Sequence, residues 1–456
     1  MTNQNAPVDR GAVALIIFLL GLDTLLPWNF FITATEYFED RLKGPSASNG
    51  PVQVTNGTAP VTKNYNFASW MTLLSQLPLL LFTLANSFLY QLVKEKIRIA
   101  ASMGAILFLF ILTAIMVRVN VQPDSFFSIT MATIWFINSF GAVLQGSLFG
   151  LVGLLPPKYS MLFMSGQGLA GIFASLASLL SILSKADKAS AALGYFITPC
   201  VATLMTLLCY LLLPHLEFSR FYLAKESKPE AAGELLKSCE KDKEALANGD
   251  NKLILTNGDL EANGTKHSQY MMEQTDDSSR SSVLAVFKKI WVMALCVTCV
   301  MAVTLSVFPA ITVQVRSVYG NAEWGRYFLC VCCFIVFNVM DLIGRSVTSV
   351  VQWPSKTSRL FPVLVVARVV FIPLIMLCNT SDRQYLPVLF SHDVAFVTIM
   401  TLFALSNGYF ICLSMSYAPQ LVRSKDCETA GALMTFFLAL GLSLGAAFSF
   451  LLKSLL

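Results

Sequence analysis

The sequence predicts an all-α polytopic membrane protein with eleven transmembrane helices, six followed by five. Of its 456 residues, 55% are hydrophobic and only 13% are charged, whereas soluble domains carry about 25% charged residues. Eleven apolar runs reach the ~20 residues that a helix needs to cross a bilayer. A long polar stretch, from Glu217 to about Lys289, separates the first six runs from the last five.

Polar or charged residues bound each apolar run. The first six runs lie at about 12–34, 68–92, 98–118, 126–153, 160–184 and 193–214. The last five lie at about 290–313, 327–351, 359–378, 394–417 and 429–452. We therefore divide the chain into a tail (1–11), an N-terminal bundle (12–214, with a first loop at about 37–67), a central loop (215–289) and a C-terminal bundle (290–456). The central loop is polar without apolar periodicity, so we expect it to be disordered.

Basic residues in the short connections predict the orientation. They cluster after the even-numbered runs, for example at Lys94, Lys96 and Arg98. Because cytosolic loops carry the excess of Lys and Arg, the N-terminus and the central loop are predicted to be cytosolic and the C-terminus extracellular. Arg41, Lys43 and Lys63, in the first loop, count against this orientation. The sequon at Asn56 lies in the same loop, so Asn56 is predicted to be glycosylated.

Two charges inside the eighth run are the main functional candidates. Asp341 and Arg345 lie four residues apart, on one face of a helix. A charge at membrane depth is costly and usually marks a solute pathway or a buried pair. A solute-binding pair and a purely structural ion pair both remain open at this point.

Few other polar groups lie within the runs, namely Asp23, Asn29, Gln145, Asn338, Arg368 and Asn407. Amides, a carboxylate and a guanidinium suit a neutral solute with several hydroxyl groups. An ion channel would be expected to carry charged pore rings, and a proton-coupled carrier a chain of carboxylates or histidines. The runs contain neither pattern, and they contain no nucleophile–base or metal constellation typical of an enzyme.

Further sequence patterns are better explained by packing. Gly166–Gly171 spells GxGxxG, but the motif lies in an apolar run without the βαβ context that dinucleotide binding requires. We expect its glycines, and the GxxxG pairs Gly146/Gly150 and Gly441/Gly445, to bring helices close together. Cys330, Cys332 and Cys333 are interpreted as packing residues, because a zinc site needs further ligands. No cofactor, metal, nucleic acid or obligate protein partner is predicted.

Six segments resemble the equilibrative nucleoside transporters, and the resemblance covers all eleven runs. Four of them are LDTLLPWNFF from Leu22, LQGSLFG from Leu144, SGQGLAG from Ser165 and DLIGRS from Asp341. The segments LSQLPL from Leu74 and NSFLYQ from Asn86 look most like the second subtype of the family. The resemblance implies a major-facilitator-like fold with one span missing. It also implies sodium-independent facilitated diffusion of nucleosides, with nucleobases tolerated, by alternating access.

The resemblance also implies residue roles. Gln145 would contact the base, and Asp341 and Arg345 the sugar; we place Asn338, on the same run, with them. The cavity walls would be Leu25, Trp28, Leu79 and Leu442. Gating roles would fall to Asn29, to Ile32 and to the Arg98/Glu428 pair. Ile32 occupies a position linked to adenosine-uptake inhibitors, where Ile rather than Met implies reduced sensitivity.

Asp23 departs from the resemblance, because the family usually has glycine there. Its carboxylate could titrate during uptake, pair with a base or face water. Asp23 is thus the only support for a rival function, that of a proton-coupled nucleoside or nucleobase carrier. A channel and a membrane enzyme are two further rival functions. The N-terminal tail has no acidic dileucine signal, which favours the plasma membrane, where lipid is the remaining partner.

Overall fold

The computed structural model describes residue 9 and residues 11–42, 67–89, 93–119, 121–184, 188–223, 282–319, 322–381, 383 and 385–456. The described secondary structure is helical except for two isolated β-bridges. This confirms the predicted all-α class. The predicted glycosylation site Asn56 and most of the central loop lie outside the described residues.

The helices of the first half are, in chain order, α1 (Ala12–Thr33), α2 (Thr35–Leu42), α3 (Phe67–Leu89), α4 (Glu95–Arg118), α5 (Pro123–Gly153), α6 (Pro157–Ser184) and α7 (Lys188–Leu212). The helices of the second half are α8 (Val283–Val307), α9 (Ala322–Phe328), α10 (Val336–Val347), α11 (Leu360–Ala367), α12 (Phe371–Met376), α13 (Asp393–Tyr417) and α14 (Cys427–Ser454). We call α1–α7 the N half and α8–α14 the C half.

Nine helices in the described part of the chain are long and apolar enough to cross a membrane. Two further apolar helices, Leu73–Ser87 and Leu360–Met376, are shorter. They coincide with the second and ninth predicted runs. The total of eleven spans therefore stays a prediction.

Two predicted spans are interrupted helices. The eighth run joins α9 to α10 through a π-helical segment, Leu329–Ile335. The ninth run narrows to a 3₁₀ turn at Arg368–Val370, between α11 and α12. Such mid-helix irregularities often accompany function or strain, and hydropathy alone does not reveal them.

The predicted loops differ from the structure at their ends. The central loop was predicted for 215–289, but residues 217–223 are helical and α8 begins at Val283. The Ser282 hydroxyl caps α8 by accepting a hydrogen bond from the Ala285 amide at 3.3 Å. The first loop was predicted from about residue 37, but α2 continues to Leu42 because Phe38 packs into the core at 1% exposure.

The two halves repeat one packing scheme. In the N half, the first span (α1) packs along the fifth (α6), and the second (α3) along the fourth (α5). In the C half, α8 packs along α14 and α10 along α13, which again pairs first with fifth and second with fourth. This repetition confirms the predicted pseudo-symmetric arrangement of two bundles. The halves meet where α14 packs on α3 and α5, and where α10 packs on α6.

Glycines allow the closest of these approaches. A Cβ atom added to Gly21 on α1 would lie 2.0 Å from the Phe163 carbonyl oxygen on α6. A Cβ atom added to Gly166 on α6 would lie 2.1 Å from the Phe18 carbonyl oxygen on α1. The two helices are therefore in mutual backbone contact, and the packing interpretation of the GxGxxG motif is confirmed.

The variant Gly166→Ala should be destabilised, because its new methyl group has no room against Phe18. Overpacking of this kind costs about 1–3 kcal/mol, so we expect a lower melting temperature in detergent. The matched control is Gly194→Ala on α7, where the added Cβ meets nothing within 4 Å. That variant should be as stable as the original chain or more so, since alanine favours helix by about 1 kcal/mol. Equal melting temperatures for both variants would contradict the contact.

Candidate functional site

Asp341 and Arg345 form a buried ion pair on α10. The Arg345 Nε donates to the Asp341 Oδ2 at 2.7 Å, one helical turn away. The two residues are only 5% and 6% exposed. The predicted pairing is therefore present, and the low exposure means that each charge depends on protein partners.

Helices from both halves complete this pair. Arg345 also donates from Nη1 to the Met164 carbonyl oxygen on α6, at 3.2 Å. The Asp341 Oδ1 accepts from the Asn407 Nδ2 on α13, at 2.7 Å. Because α6 belongs to the N half and α13 to the C half, the pair lies at the junction of the two halves.

Glycines bring the backbones together around the pair. A Cβ atom on Gly168 of α6 would lie 3.0 Å from the Arg345 Cδ. A Cβ atom on Gly408 of α13 would lie 2.0 Å from the Asp341 carbonyl oxygen. Larger residues at either position would push the neighbouring helix away from α10.

Asn338, three residues before Asp341 on α10, makes hydrogen bonds toward the N half. Its Nδ2 donates to the Ser175 hydroxyl on α6 at 2.8 Å and to the Phe334 carbonyl oxygen at 2.9 Å. A Cβ atom added to Gly171 would lie 2.0 Å from the Asn338 Oδ1. Asn338 therefore contributes to the α6–α10 interface, one turn before Asp341.

Gln145 lies in the N half, on α5, and is 7% exposed. The next residue, Gly146, lets α5 approach α3: a Cβ atom there would lie 2.6 Å from the Asn86 Nδ2 and 4.0 Å from the Ala432 Cα on α14. Gln145 thus sits beside the contact of α5 with the C half, on a different helix from the charged pair.

The four predicted cavity-wall residues share partial exposure, so each leaves part of its side chain accessible: Leu25, Trp28, Leu79 and Leu442. They lie on α1, α3 and α14. The Trp28 ring stacks on Phe31, with ring centroids 6.1 Å apart and an interplanar angle of 11°.

Arg98 and Glu428 form the second buried ion pair, between Arg98 Nη2 and Glu428 Oε1. They lie near the first turns of α4 and α14 and are 8% and 6% exposed. The predicted pair therefore bridges the two halves. The Arg98 Nε and Nη1 atoms are buried and have no hydrogen-bond partner among the described residues. The hydrogen-bonding capacity of the Arg98 guanidinium is therefore only partly used in this contact.

Backbone contact reinforces this bridge. A Cβ atom on Gly431 of α14 would lie 2.6 Å from the Gly150 backbone nitrogen on α5. A Cβ atom on Gly150 would lie 2.8 Å from the Glu428 Cγ. The two halves are therefore closed against each other at the end where α4 and α14 begin.

The remaining gating candidates, Asn29 and Ile32, lie near the end of α1. The Asn29 Nδ2 donates to the Leu25 carbonyl oxygen of its own helix at 2.9 Å. Ile32 is 44% exposed. Since successive spans alternate in direction, the end of α1 lies opposite the Arg98/Glu428 bridge.

Asp23 is buried in the N half, at 3% exposure, so the expectation that it could simply face water is wrong. Its Oδ1 accepts from the Thr203 hydroxyl on α7 at 2.8 Å. The second carboxylate oxygen, Oδ2, has no partner among the described residues. The contact ties α1 to α7.

Sequence reasoning assigned no role to Thr304 and left Asn407 and Arg368 without partners. In the structure Asn407 bonds to Asp341, Thr304 bonds to Asn407, and Arg368 bonds to Thr304. The only sequence signal was that Asn407 and Arg368 are polar residues within apolar runs. Thr304 gave no such signal, because threonine is common in membrane helices.

The Asp341 and Arg345 side chains keep hydrogen-bonding capacity, both to accept and to donate, that the described contacts do not use. Each carboxylate oxygen has two lone pairs, and a guanidinium has five N–H groups. The Asp341 oxygens accept one bond each, and the Arg345 Nη2 makes none of the described contacts. Hydroxyl groups fit this capacity. Within the described ranges, no group of three or more His, Cys, Asp or Glu residues could hold a metal ion.

Comparison with known sequences places the chain among membrane transporters. The nucleoside transporter family model matches residues 131–454. The chain is 53% identical to human (Homo sapiens) equilibrative nucleoside transporter 2, over 100% of both chains. It is 52% identical to the rat (Rattus norvegicus) form of that protein and 44% identical to human equilibrative nucleoside transporter 1, again over 100% of both chains.

Comparison with solved structures agrees on the fold. The chain matches the proton:xylose symporter XylE of the major facilitator superfamily with a TM-score of 0.62 at 12% identity, covering 97% of this chain and 89% of that one. At this identity the match concerns the fold alone. It confirms the predicted major-facilitator-like architecture.

Proposed function

The chain belongs to the equilibrative nucleoside transporter family, and from this premise we propose that its charged pair on α10 is the sugar-binding part of a nucleoside site. The protein transports nucleosides by sodium-independent, bidirectional facilitated diffusion. It is a multi-pass membrane transporter and not an enzyme. The observation that carries the site is the buried Asp341–Arg345 contact at the junction of the two halves.

The sugar end of the substrate binds at Asp341 and Arg345. A ribose hydroxyl donates to the Asp341 carboxylate, and its neighbour accepts from the Arg345 guanidinium, which matches the unused capacity of these groups. Bonds to charged partners are roughly twice as strong as neutral ones. Asn338 supports the site by holding α10 against α6 through Ser175.

The base end of the substrate reaches the N half. Gln145 offers both a donor and an acceptor, so one side chain can bond purine or pyrimidine edges. Leu25, Trp28, Leu79 and Leu442 form the apolar walls. A base that needs only these contacts can bind without a sugar, so we include nucleobases among the substrates.

Transport proceeds by alternating access, with the halves rocking about the central site. The Arg98/Glu428 bridge closes one end, and Asn29 and Ile32 act at the opposite end. Ile32 also contributes to contacts with adenosine-uptake inhibitors and lowers sensitivity to them.

We place the closed end in the cytosol of a plasma-membrane protein, with the C-terminus outside and Asn56 glycosylated. Arg41 counted against this orientation in the sequence. However, its Nη1 donates to the Met116 and Val117 carbonyl oxygens at 2.9 and 3.0 Å. A basic residue that satisfies the last carbonyls of α4 has a structural reason for its position, so it is a poor guide to orientation.

Radiolabelled uridine uptake into proteoliposomes tests the function. We expect saturable uptake that is unchanged by sodium and that accelerates when unlabelled uridine is loaded inside, because a carrier returns faster when occupied. The same vesicles without protein are the control. No uridine uptake at all would contradict the proposal.

A proton gradient applied in the same assay tests the rival function of a proton-coupled carrier. We expect no effect, since the relatives that this chain matches over their full length are equilibrative nucleoside transporters. Uptake that rises steeply with an inward proton gradient, and loses this rise in Asp23→Gly, would support a proton-coupled carrier instead. If unlabelled uridine inside the vesicles never accelerates uptake, whatever the gradient, the result would support a channel.

A further inference from the structure

A chain of hydrogen bonds runs from Asp341 into the C half and ends at Arg368. The Asn407 Nδ2 donates to Asp341 Oδ1 at 2.7 Å, and the Asn407 Oδ1 accepts from the Thr304 hydroxyl at 2.7 Å. The Arg368 Nη2 donates to the same hydroxyl oxygen at 3.0 Å. We call Arg368, Thr304 and Asn407 the relay. It links α10, α13, α8 and the 3₁₀ turn between α11 and α12.

The chemistry of the groups permits only one direction of donation along the relay. An ionised carboxylate only accepts, so Asn407 must present its NH₂ group to Asp341. Its carbonyl oxygen then faces Thr304, which must supply the proton. The Thr304 oxygen is left to accept, and Arg368 can only donate. Donation therefore runs from the guanidinium to the carboxylate, and the two ends agree on the orientation that directs the Asn407 NH₂ group toward Asp341.

The Val300 carbonyl oxygen is a second acceptor near the Thr304 hydroxyl, and it already accepts a hydrogen bond from Arg368. The hydroxyl also lies 2.8 Å from the Val300 carbonyl oxygen. Arg368 donates to that same oxygen from Nη1 at 3.0 Å. Because Arg368 already donates to the Val300 oxygen, that oxygen does not depend on the Thr304 proton, which can bond to Asn407 instead.

Several contacts hold the Arg368 side chain in place within the C half. It is 2% exposed, and its Nε donates to the Ser406 hydroxyl at 3.1 Å. Its guanidinium also lies over the Phe403 ring, 5.4 Å from the centroid. Among the described residues, it bonds to no carboxylate. Hydroxyl and carbonyl groups therefore stabilise its charge. Of these, the Thr304 hydroxyl connects Arg368 to Asp341 through the relay.

We infer that Arg368 is a positioning residue for sugar recognition, acting through Thr304 and Asn407 on the Asp341 carboxylate. The relay orients Asp341 so that its remaining lone pairs meet the ribose hydroxyls. This inference rests on the proposed sugar site. A purely structural role of Arg368 would weaken the binding of every ligand. A positioning role weakens only the binding of ligands that carry the ribose hydroxyl groups.

The test compares inhibition of uridine uptake by uridine and by 2′,3′-dideoxyuridine, which lacks the two hydroxyls. In Thr304→Val, which removes the relay hydroxyl at nearly constant shape, we expect the inhibition constant of uridine to rise about tenfold, as for the loss of a bond that serves a charged group. The constant for dideoxyuridine should change less than about twofold, since it does not use that bond. The maximal rate per transporter at the membrane should stay near the original.

Three further variants control the result. Thr298→Val removes a hydroxyl on the same helix, α8, that bonds to Ala294 and Phe437 outside the relay, so it should leave both constants unchanged. Thr304→Ser keeps the hydroxyl and should restore uridine binding. If Thr304→Val does not reach the membrane, Arg368→Lys provides the second test. Lysine keeps the charge but lacks the planar guanidinium with its fixed N–H directions. This variant should therefore show the same selective rise in the inhibition constant of uridine.

The outcomes separate the two proposals. If the original chain prefers uridine to dideoxyuridine and Thr304→Val keeps that preference, or weakens both ligands equally, the relay is wrong and the sugar site stands. If the original chain does not distinguish the two ligands, the sugar does not meet Asp341, and both proposals are wrong.

Discussion

Arg345→Ala should remove nearly all nucleoside transport. The change deletes the partner of a carboxylate that is 5% exposed, and it also deletes the bond to Met164 across the two halves. Losing a hydrogen bond to a charged group costs about 1.5–3 kcal/mol, so we expect the ratio of maximal rate to KM to fall by about 10- to 150-fold. Asp341→Ala should act in the same way, because it leaves the guanidinium unpaired.

Uridine uptake per transporter, normalised to the amount at the cell surface, measures this loss. Arg118→Ala is the matched control, because Arg118 is exposed at the end of α4 and far from the pair in the fold. It should transport as the original chain does. If Arg345→Ala or Asp341→Ala reaches the surface and transports uridine normally, the site assignment is wrong.

Arg98→Ala should shift the carrier away from the state in which the Arg98/Glu428 end is closed. The bridge to Glu428 closes this end of the molecule, and both of its residues are buried. We expect the closed end to open in most molecules, since the cost to the closed state is about 3–5 kcal/mol. Transport should fall because the return to the closed state becomes rare.

Thiol labelling can report this shift. Asn86 is 5% exposed at the junction of α3, α5 and α14, so Asn86→Cys should react slowly with a membrane-impermeant reagent applied from that end. The added Arg98→Ala change should raise the labelling rate by about tenfold or more, given an open population increased by the lost pair. The charge swap Arg98→Glu with Glu428→Arg should restore part of the protection. Unchanged labelling in Arg98→Ala would mean that the bridge is no gate.

The sequence was sufficient to predict the charged pair on α10, because its geometry is local. Residues four apart on a helix meet whatever the tertiary fold is, and the surrounding hydropathy shows that both charges lie within a span. The repeated apolar runs likewise predicted the helical class and the two bundles. Arg98 and Glu428 are far apart in sequence, and only the family resemblance paired them before the structure did.

Interactions between distant helices were not predictable in the same way. The sequence marked Asn407 and Arg368 as polar residues within spans, but it did not say that Thr304 joins them to Asp341. The sequence grouped Asn338 with the charged pair, but it did not show that the Asn338 amide bonds to Ser175 across the α6–α10 interface. Such contacts depend on which helix faces cross and at what depth.

Hydropathy, glycine content and helical spacing therefore determined that this chain is a two-bundle membrane protein with a charged pair in its eighth span, since these are properties of neighbouring residues. Only the tertiary structure decided what completes that pair. The partners of Asp341 and Arg345 come from α6 and α13, brought within hydrogen-bond distance by glycines that let the backbones touch. A bond between two helices has no signature in either helix alone, because its energy depends on their packing.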